Sequence, residues 1–317
     1  MNPRHISILG VPMGLGAGRY GAEAGDRAVR TERILHALEA LGHHVHDDGS
    51  LAIPPATEPG NPRARFLREI VEANERIARW TAERLSDGAT PLILGGDHSI
   101  ALGTVTGSAA HFRNTGRKIG LLWIDAHGDM NTPDTSPSGN VHGMPLAALL
   151  GIGHKQMTGL GGFSPKVAME NTVLIGIRDI DTREAALIEQ SGIRAFTIRD
   201  IDERGMFSVM NEALEAALDG TAGLHVSLDM DALDPSVAPG VGTPVPGGLT
   251  YREAHLALEM IADTDQLRSM DVVEVNPMLD AQNLTARIAV GLATSAFGKR
   301  ILPPRGGGVS PSSAGRN

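Results

Sequence analysis

The stretch Ile119-Gly120-Leu121-Leu122-Trp123-Ile124-Asp125-Ala126-His127-Gly128-Asp129 runs from an unbroken apolar segment straight into acids and a histidine. An apolar run this short, with no polar alternation, reads as a strand buried on both faces of a parallel sheet. Residues 6–10, 91–95, 173–177, 224–228 and 272–275 have the same character, and 43–46 and 195–198 are weaker examples. Between them, 63–85, 183–191, 209–218 and 251–263 read as helices, the last opened by Thr250 with Glu253 three residues on, a capping-box pattern. Alternating strands and helices of this kind predict an α/β fold: a parallel sheet with helices on both sides.

Composition agrees. The 317 residues are 41% hydrophobic and 21% charged, an ordinary globular balance. A formal charge of −9 argues against a general nucleic-acid binder, which would carry a basic stripe. With no cysteine there is no disulfide, thiolate metal site or cysteine nucleophile. That usage fits a reducing cytosol. The first apolar run, broken by Gly10 and Pro12, is too short for a signal-peptide core, and no later run is long enough to span a bilayer. The expectation is a cytoplasmic protein with one catalytic domain over 1–302. The Gly/Ser/Pro-rich segment 303–317 is read as a disordered tail.

Ligands of open α/β sheets bind beyond the carboxyl ends of the strands. The residues there are Gly96-Asp97-His98-Ser99, Asp125 to Asp129, Arg178-Asp179-Ile180-Asp181, Asp229-Met230-Asp231 and Glu274-Val275-Asn276. In extended backbone, residues two apart share a face, which aligns Asp125, His127 and Asp129, and likewise Asp229 and Asp231. With His98 these are six candidate metal ligands. One octahedral ion would leave no open position, whereas two ions can share the set if Asp125 and Asp229 bridge. His98 and Asp129 then complete one ion, and His127 and Asp231 the other. Oxygen-rich ligation without sulfur favours Mn²⁺ or Mg²⁺, and the imidazoles tilt the choice to Mn²⁺. Paired ions acidify a bridging water and hold a nucleophile ready. Four aspartates, two dications and a hydroxide leave the pocket about one charge negative, and Glu274 adds to this, so it attracts cations and repels phosphate esters. Arg178 is the one basic residue in these strand-end motifs, too few for phosphoryl transfer. The chemistry points to a hydrolase with a cationic substrate.

The segment from Asp125 through Met130-Asn131-Thr132-Pro133 and on through Ser138-Gly139-Asn140-Val141-His142-Gly143-Met144-Pro145 resembles the signature of arginases, the L-arginine members of the ureohydrolase family. The likeness extends to Gly95-Gly96-Asp97-His98-Ser99, to Ser227 through Pro235, to Gly242 through Glu253, and to Glu274-Val275-Asn276-Pro277. It implies a three-layer αβα fold around an eight-stranded parallel sheet, two Mn²⁺ per subunit on the ligands above, and assembly as a homotrimer or homohexamer. It also implies hydrolysis of L-arginine to L-ornithine and urea by a metal-bridging hydroxide. Asp129 then orients the hydroxide, Glu274 pairs with the guanidinium, and His142 is the proton shuttle to the leaving amine. By the same resemblance Asn131, Ser136 and Ser138 read the α-carboxylate, Asn140 shapes their loop, Asp181 reads the α-ammonium, and Thr243 and Glu184 line the pocket. Asp134 is a departure: it adds a negative charge inside the carboxylate-reading loop, harmless only if it faces solvent.

Two other readings compete. Gly16-Ala17-Gly18-Arg19-Tyr20-Gly21 fits the dinucleotide pattern G-x-G-x-x-G. However, the five residues 11–15 separate it from the first strand, so the tight strand-to-helix turn is missing. An agmatinase or another guanidino-compound ureohydrolase would share the metal cluster. The Asn131-Thr132-Pro133 and Ser138-Gly139-Asn140 elements disfavour it, because agmatine lacks the carboxylate they would bind.

Overall fold

The computed structural model describes residues 3–56 and 58–302; the segment read as a tail, 303–317, lies outside the described residues. Eight strands, β1 (His5–Gly10), β2 (His44–Ser50), β3 (Thr90–Leu94), β4 (Lys118–Ile124), β5 (Thr172–Ile177), β6 (Arg194–Thr197), β7 (Thr221–Asp229) and β8 (Leu267–Val273), form one sheet. Its order is β2-β1-β3-β8-β7-β4-β5-β6, and every pairing is parallel.

The period of two along each strand makes two cores. Leu92, Leu94, Leu122, Ile124, Val226 and Leu228 pack under one helical layer. Ile93, Leu121, Trp123 and Leu174 pack under the other. Both faces being buried explains why these strands read as continuous apolar runs, and gives the expected αβα layering. The Tyr251–Asp263 helix begins at the expected capping box, with both reciprocal hydrogen bonds formed between Thr250 and Glu253. The helix expected from residue 63 begins later, as Leu67–Ser86, because Phe66 takes a left-handed conformation (φ 54°). Against it packs Ala101–Arg113, a helix without an apolar stripe because ten of its thirteen residues are buried. A methyl on Gly107 would lie 2.3 Å from the Ala78 carbonyl oxygen, so glycine is what lets the two helices approach.

β3, β8, β7 and β4 are neighbours at the centre of the sheet. Chain connections leave this middle on opposite sides, and the four carboxyl ends open into one crevice, the place where such sheets bind ligands. Among the described residues, no helix is long and apolar enough to cross a membrane.

Candidate metal centre

Each of the four central strands delivers charged groups at its end, and all six expected ligands converge. His98 Nδ1 lies 3.1 Å from Asp125 Oδ2, 3.0 Å from Asp129 Oδ2 and 3.1 Å from Asp229 Oδ2. His127 Nδ1 lies 3.1 Å from Asp231 Oδ2 and 3.4 Å from Asp125 Oδ1. Two groups of metal-ligating geometry result, His98–Asp125–Asp229 and Asp125–His127–Asp231, and Asp125 belongs to both through its two oxygens.

Turns, rather than extended backbone, bring these groups together. Asp125 Oδ1 accepts from the His127 amide at 2.7 Å, and Asp229 Oδ1 from the Asp231 amide at 2.7 Å. Asp129 sits at φ 48°, a left-handed conformation that swings its carboxylate back toward His98. Side chains two apart do share a focus, but through local carboxylate-to-amide turns.

The electrostatics are those of a site built around positive charge. Burial, reinforced by neighbouring carboxylates, pushes Asp129 up to about 6 and raises Asp229 and Asp231 above the usual carboxylate range. Burial acts on Asp125 in the same direction, yet His127 and His98 outweigh it and hold that carboxyl well below its usual range. His98 is 1% exposed, and its Nδ1 makes no hydrogen bond although three carboxylates face it. A buried nitrogen without a hydrogen bond among mutually repelling oxygens is a poor arrangement for an apoprotein, and a divalent cation relieves it. The donor set of carboxylates and imidazoles without sulfur fits Mn²⁺.

Beside these groups Glu274, left-handed at φ 61°, accepts from the His98 amide and from His142 Nδ1 with the same oxygen, Oε1, at 2.9 Å each. Burial pushes Glu274 up, but the His142 contact prevails and keeps it below its ordinary value. Burial alone would lower His142; Glu274 pushes it up to about 9.

A family model described as the Arginase family matches residues 4–298. The chain belongs to the arginase family. The arginase of Brevibacillus brevis is 50% identical over 300 residues, which span 94% of this chain and 99% of that protein. The native structure of Bacillus caldovelox arginase superposes with a TM-score of 0.90 at 48% identity, covering 95% of this chain and all of that one. Entamoeba histolytica arginase in complex with L-ornithine gives 0.86 at 30% identity, over 94% of this chain and 100% of that one.

In this arginase-family chain a cavity of about 100 Å³ opens on the cluster, walled by His98, His127, Asp129, His142, Asp229 and Asp231 together with Asn131, Glu184 and Thr243. Thr243 Oγ1 donates to Asp231 Oδ2 at 2.8 Å. Glu184 accepts from the Met130 amide at 2.9 Å, and burial pushes its carboxyl up to about 8. Asp181 does not line this cavity. It caps the Thr182–Ser191 helix and accepts from Asn131 Nδ2 at 2.9 Å. Ser136 and Ser138 do not line the cavity either; their hydroxyls accept from the amides of Gly139 and Asn140. Asn140 Oδ1 accepts a hydrogen bond from Arg65. Asp134 faces solvent, 87% exposed and 3.2 Å from Arg63.

Three features escaped the sequence reading. Arg178 turns away from the cavity and donates to the carbonyls of Asp231 (2.7 Å), Ala232 (3.0 Å) and Val245 (2.8 Å), clamping the loop that carries Asp231 and Thr243. Asp97 accepts from the amides of Gly16 (2.8 Å) and Ser99 (3.0 Å). The G-x-G-x-x-G glycines serve the metal centre's surroundings instead of a dinucleotide: a methyl on Gly16 would lie 2.6 Å from Asp97, and one on Gly18 would lie 2.8 Å from Asn140.

Proposed function

We propose that residues 1–302 act as one catalytic domain in which the six-ligand cluster holds two Mn²⁺ ions. His98 and Asp129 would hold one ion, His127 and Asp231 the other, and Asp125 and Asp229 would contribute to both. The chain hydrolyses L-arginine to L-ornithine and urea, acting on the guanidino C–N bond. The observation that carries the metal reading is the buried Nδ1 of His98, which makes no hydrogen bond and faces three carboxylates. When bound, the ions supply a water acidic enough to act as a nucleophile near neutral pH.

The remaining work falls to the chain's own side chains. Glu274 receives the guanidinium, whose planar fork suits a carboxylate. Because Oε1 is engaged by His142 and the His98 amide, Oε2 on the Gly242 side is the oxygen left for the substrate. Asp129 orients the attacking oxygen. His142, held by Glu274 through Nδ1, protonates the departing amine from Nε2. At the other end of the substrate Asn131, Ser136 and Ser138 bind the α-carboxylate on the loop that Asn140 and Arg65 brace. Asp181 binds the α-ammonium, while Glu184 and Thr243 form the wall. Assembly as a homotrimer or homohexamer and a cytoplasmic location belong to the same proposal.

A panel of L-arginine, agmatine and guanidinobutyrate with added Mn²⁺ tests it. Urea is expected from arginine at a kcat/KM at least about 100-fold above the other two, since each leaves the loop donors or the ammonium site unpaired. Equal or faster turnover of agmatine would overturn the assignment of the loop.

A further inference from the structure

Behind His98, on the side away from the cavity, lies a chain of buried polar side chains that the reaction does not touch. His98 Nε2 is 2.8 Å from Ser227 Oγ, and Ser227 Oγ donates to Asp271 Oδ1 at 2.6 Å. The other oxygen of Asp271 lies 2.9 Å from His225 Nε2 and accepts from Thr104 Oγ1. His225 Nδ1 is in turn 2.7 Å from Ser269 Oγ. Thr104, His225, Ser227, Ser269 and Asp271 are all fully buried. An ionised carboxylate in the middle of a sheet is costly unless it is fully hydrogen-bonded, and apolar residues there would serve the fold as well.

The direction of these hydrogen bonds is determined by Asp271. An ionised carboxylate only accepts. The single proton of Ser227 therefore goes to Asp271, and the serine oxygen is left to accept from His98 Nε2–H. Metal ligation requires a neutral imidazole, which has one proton to place. With that proton on Nε2, the bare nitrogen is Nδ1, the atom that faces Asp125, Asp129 and Asp229.

We infer that Asp271, acting through Ser227, is a positioning residue that decides which ring nitrogen of His98 is bare, with His225 and Thr104 holding Asp271 in its orientation. This rests on the proposal that the cluster binds divalent cations. Asp271→Asn changes the outcome without changing the shape. Its amide oxygen is drawn to the two donors on the His225 side, which turns the NH₂ toward Ser227. The serine proton then points at His98 Nε2 and favours the wrong tautomer.

The test is a calorimetric Mn²⁺ titration of the whole protein. Wild type is expected to bind two ions. Asp271→Asn is expected to bind one of them with wild-type affinity and the other about 10–100-fold more weakly. Ser227→Ala, which deletes one hydroxyl in place, should do the same even if the Asp271 variant does not fold. Ser227→Thr, which keeps the hydroxyl, should restore the weakened ion. A purely structural network would affect both ions alike and leave no rescue. Two ions bound with wild-type affinity by both Asp271→Asn and Ser227→Ala would overturn the inference alone; a wild-type protein that binds no ion would overturn the metal reading and this inference with it.

Discussion

The two histidines of the centre occupy opposite settings. The His98 ring is stacked on Trp123, with centroids 4.1 Å apart and planes 12° from parallel, and its side chain is 1% exposed. The His127 side chain is 24% exposed, and its Nε2 lies 4.0 Å from the exposed carboxylate of Asp179. One half of the site is thus made by the interior of the sheet, and the other stands at the mouth, where solvent and substrate arrive. A candidate ion site of this build is packed and dry at the His98 side and open to solvent at the His127 side.

The strongest way to break that contrast is to remove what the halves share. Asp125→Ala takes an oxygen from each group, so elemental analysis should find less than one ion per chain, and urea release should fall by at least roughly 10³-fold. His127→Ala should empty only the outer position. If Asp125→Ala retains two ions, the halves are not joined through it.

Glu274 touches the inner half through the His98 amide without being a proposed ligand. Glu274→Gln should keep both ions and lose about 10²–10³-fold in kcat, measured by steady-state kinetics beside elemental analysis. Loss of metal in that variant would make Glu274 part of the inner half itself.

The Glu274–His142 pair also has a signature in stability. Glu274, Asp97 and Asp129 face His142 and raise its proton affinity from the ordinary 6.5 to about 9. The folded form therefore holds a proton that the unfolded chain releases earlier. Its stabilisation is complete below about pH 6.5 and is lost as pH rises through about 9. Denaturant melts of wild type and His142→Asn should differ most at pH 6 and converge by pH 10. A constant difference across that range would contradict the pairing.

The smallest effect belongs to the rim. Asp134 and Arg63 form an exposed pair, of the kind worth about 0–1 kcal/mol. Asp134→Asn should shift KM for arginine by less than about twofold. A larger drop in KM would mean that its charge reaches the carboxylate-reading loop after all.

How much of this the sequence carried depends on where each residue's partners come from. The six clustered side chains were legible as candidates because each closely follows a strand, and the strands were legible because both faces are buried. β8 was recognised only from Val272 because Arg268, Ser269 and Asp271 interrupt the apolar run. Those last two are buried with partners from β7 and the Ala101–Arg113 helix, which no linear pattern displays. That helix was itself missed for want of an exposed face. Arg178 was counted as a charge at a strand end, and its carbonyl partners become visible only once the loop after β7 is folded over it. Convergence at the site was expected from extended geometry, whereas the chain achieves it with turns at Asp125 and Asp229.

Anomalous diffraction at the manganese edge, from a crystal grown with Mn²⁺, probes the paired-ion centre most directly. Two peaks per chain are predicted, one bonded to His98 Nδ1 and the other to His127 Nδ1, with Asp125 touching both. A single peak, or none among these six side chains, would contradict it.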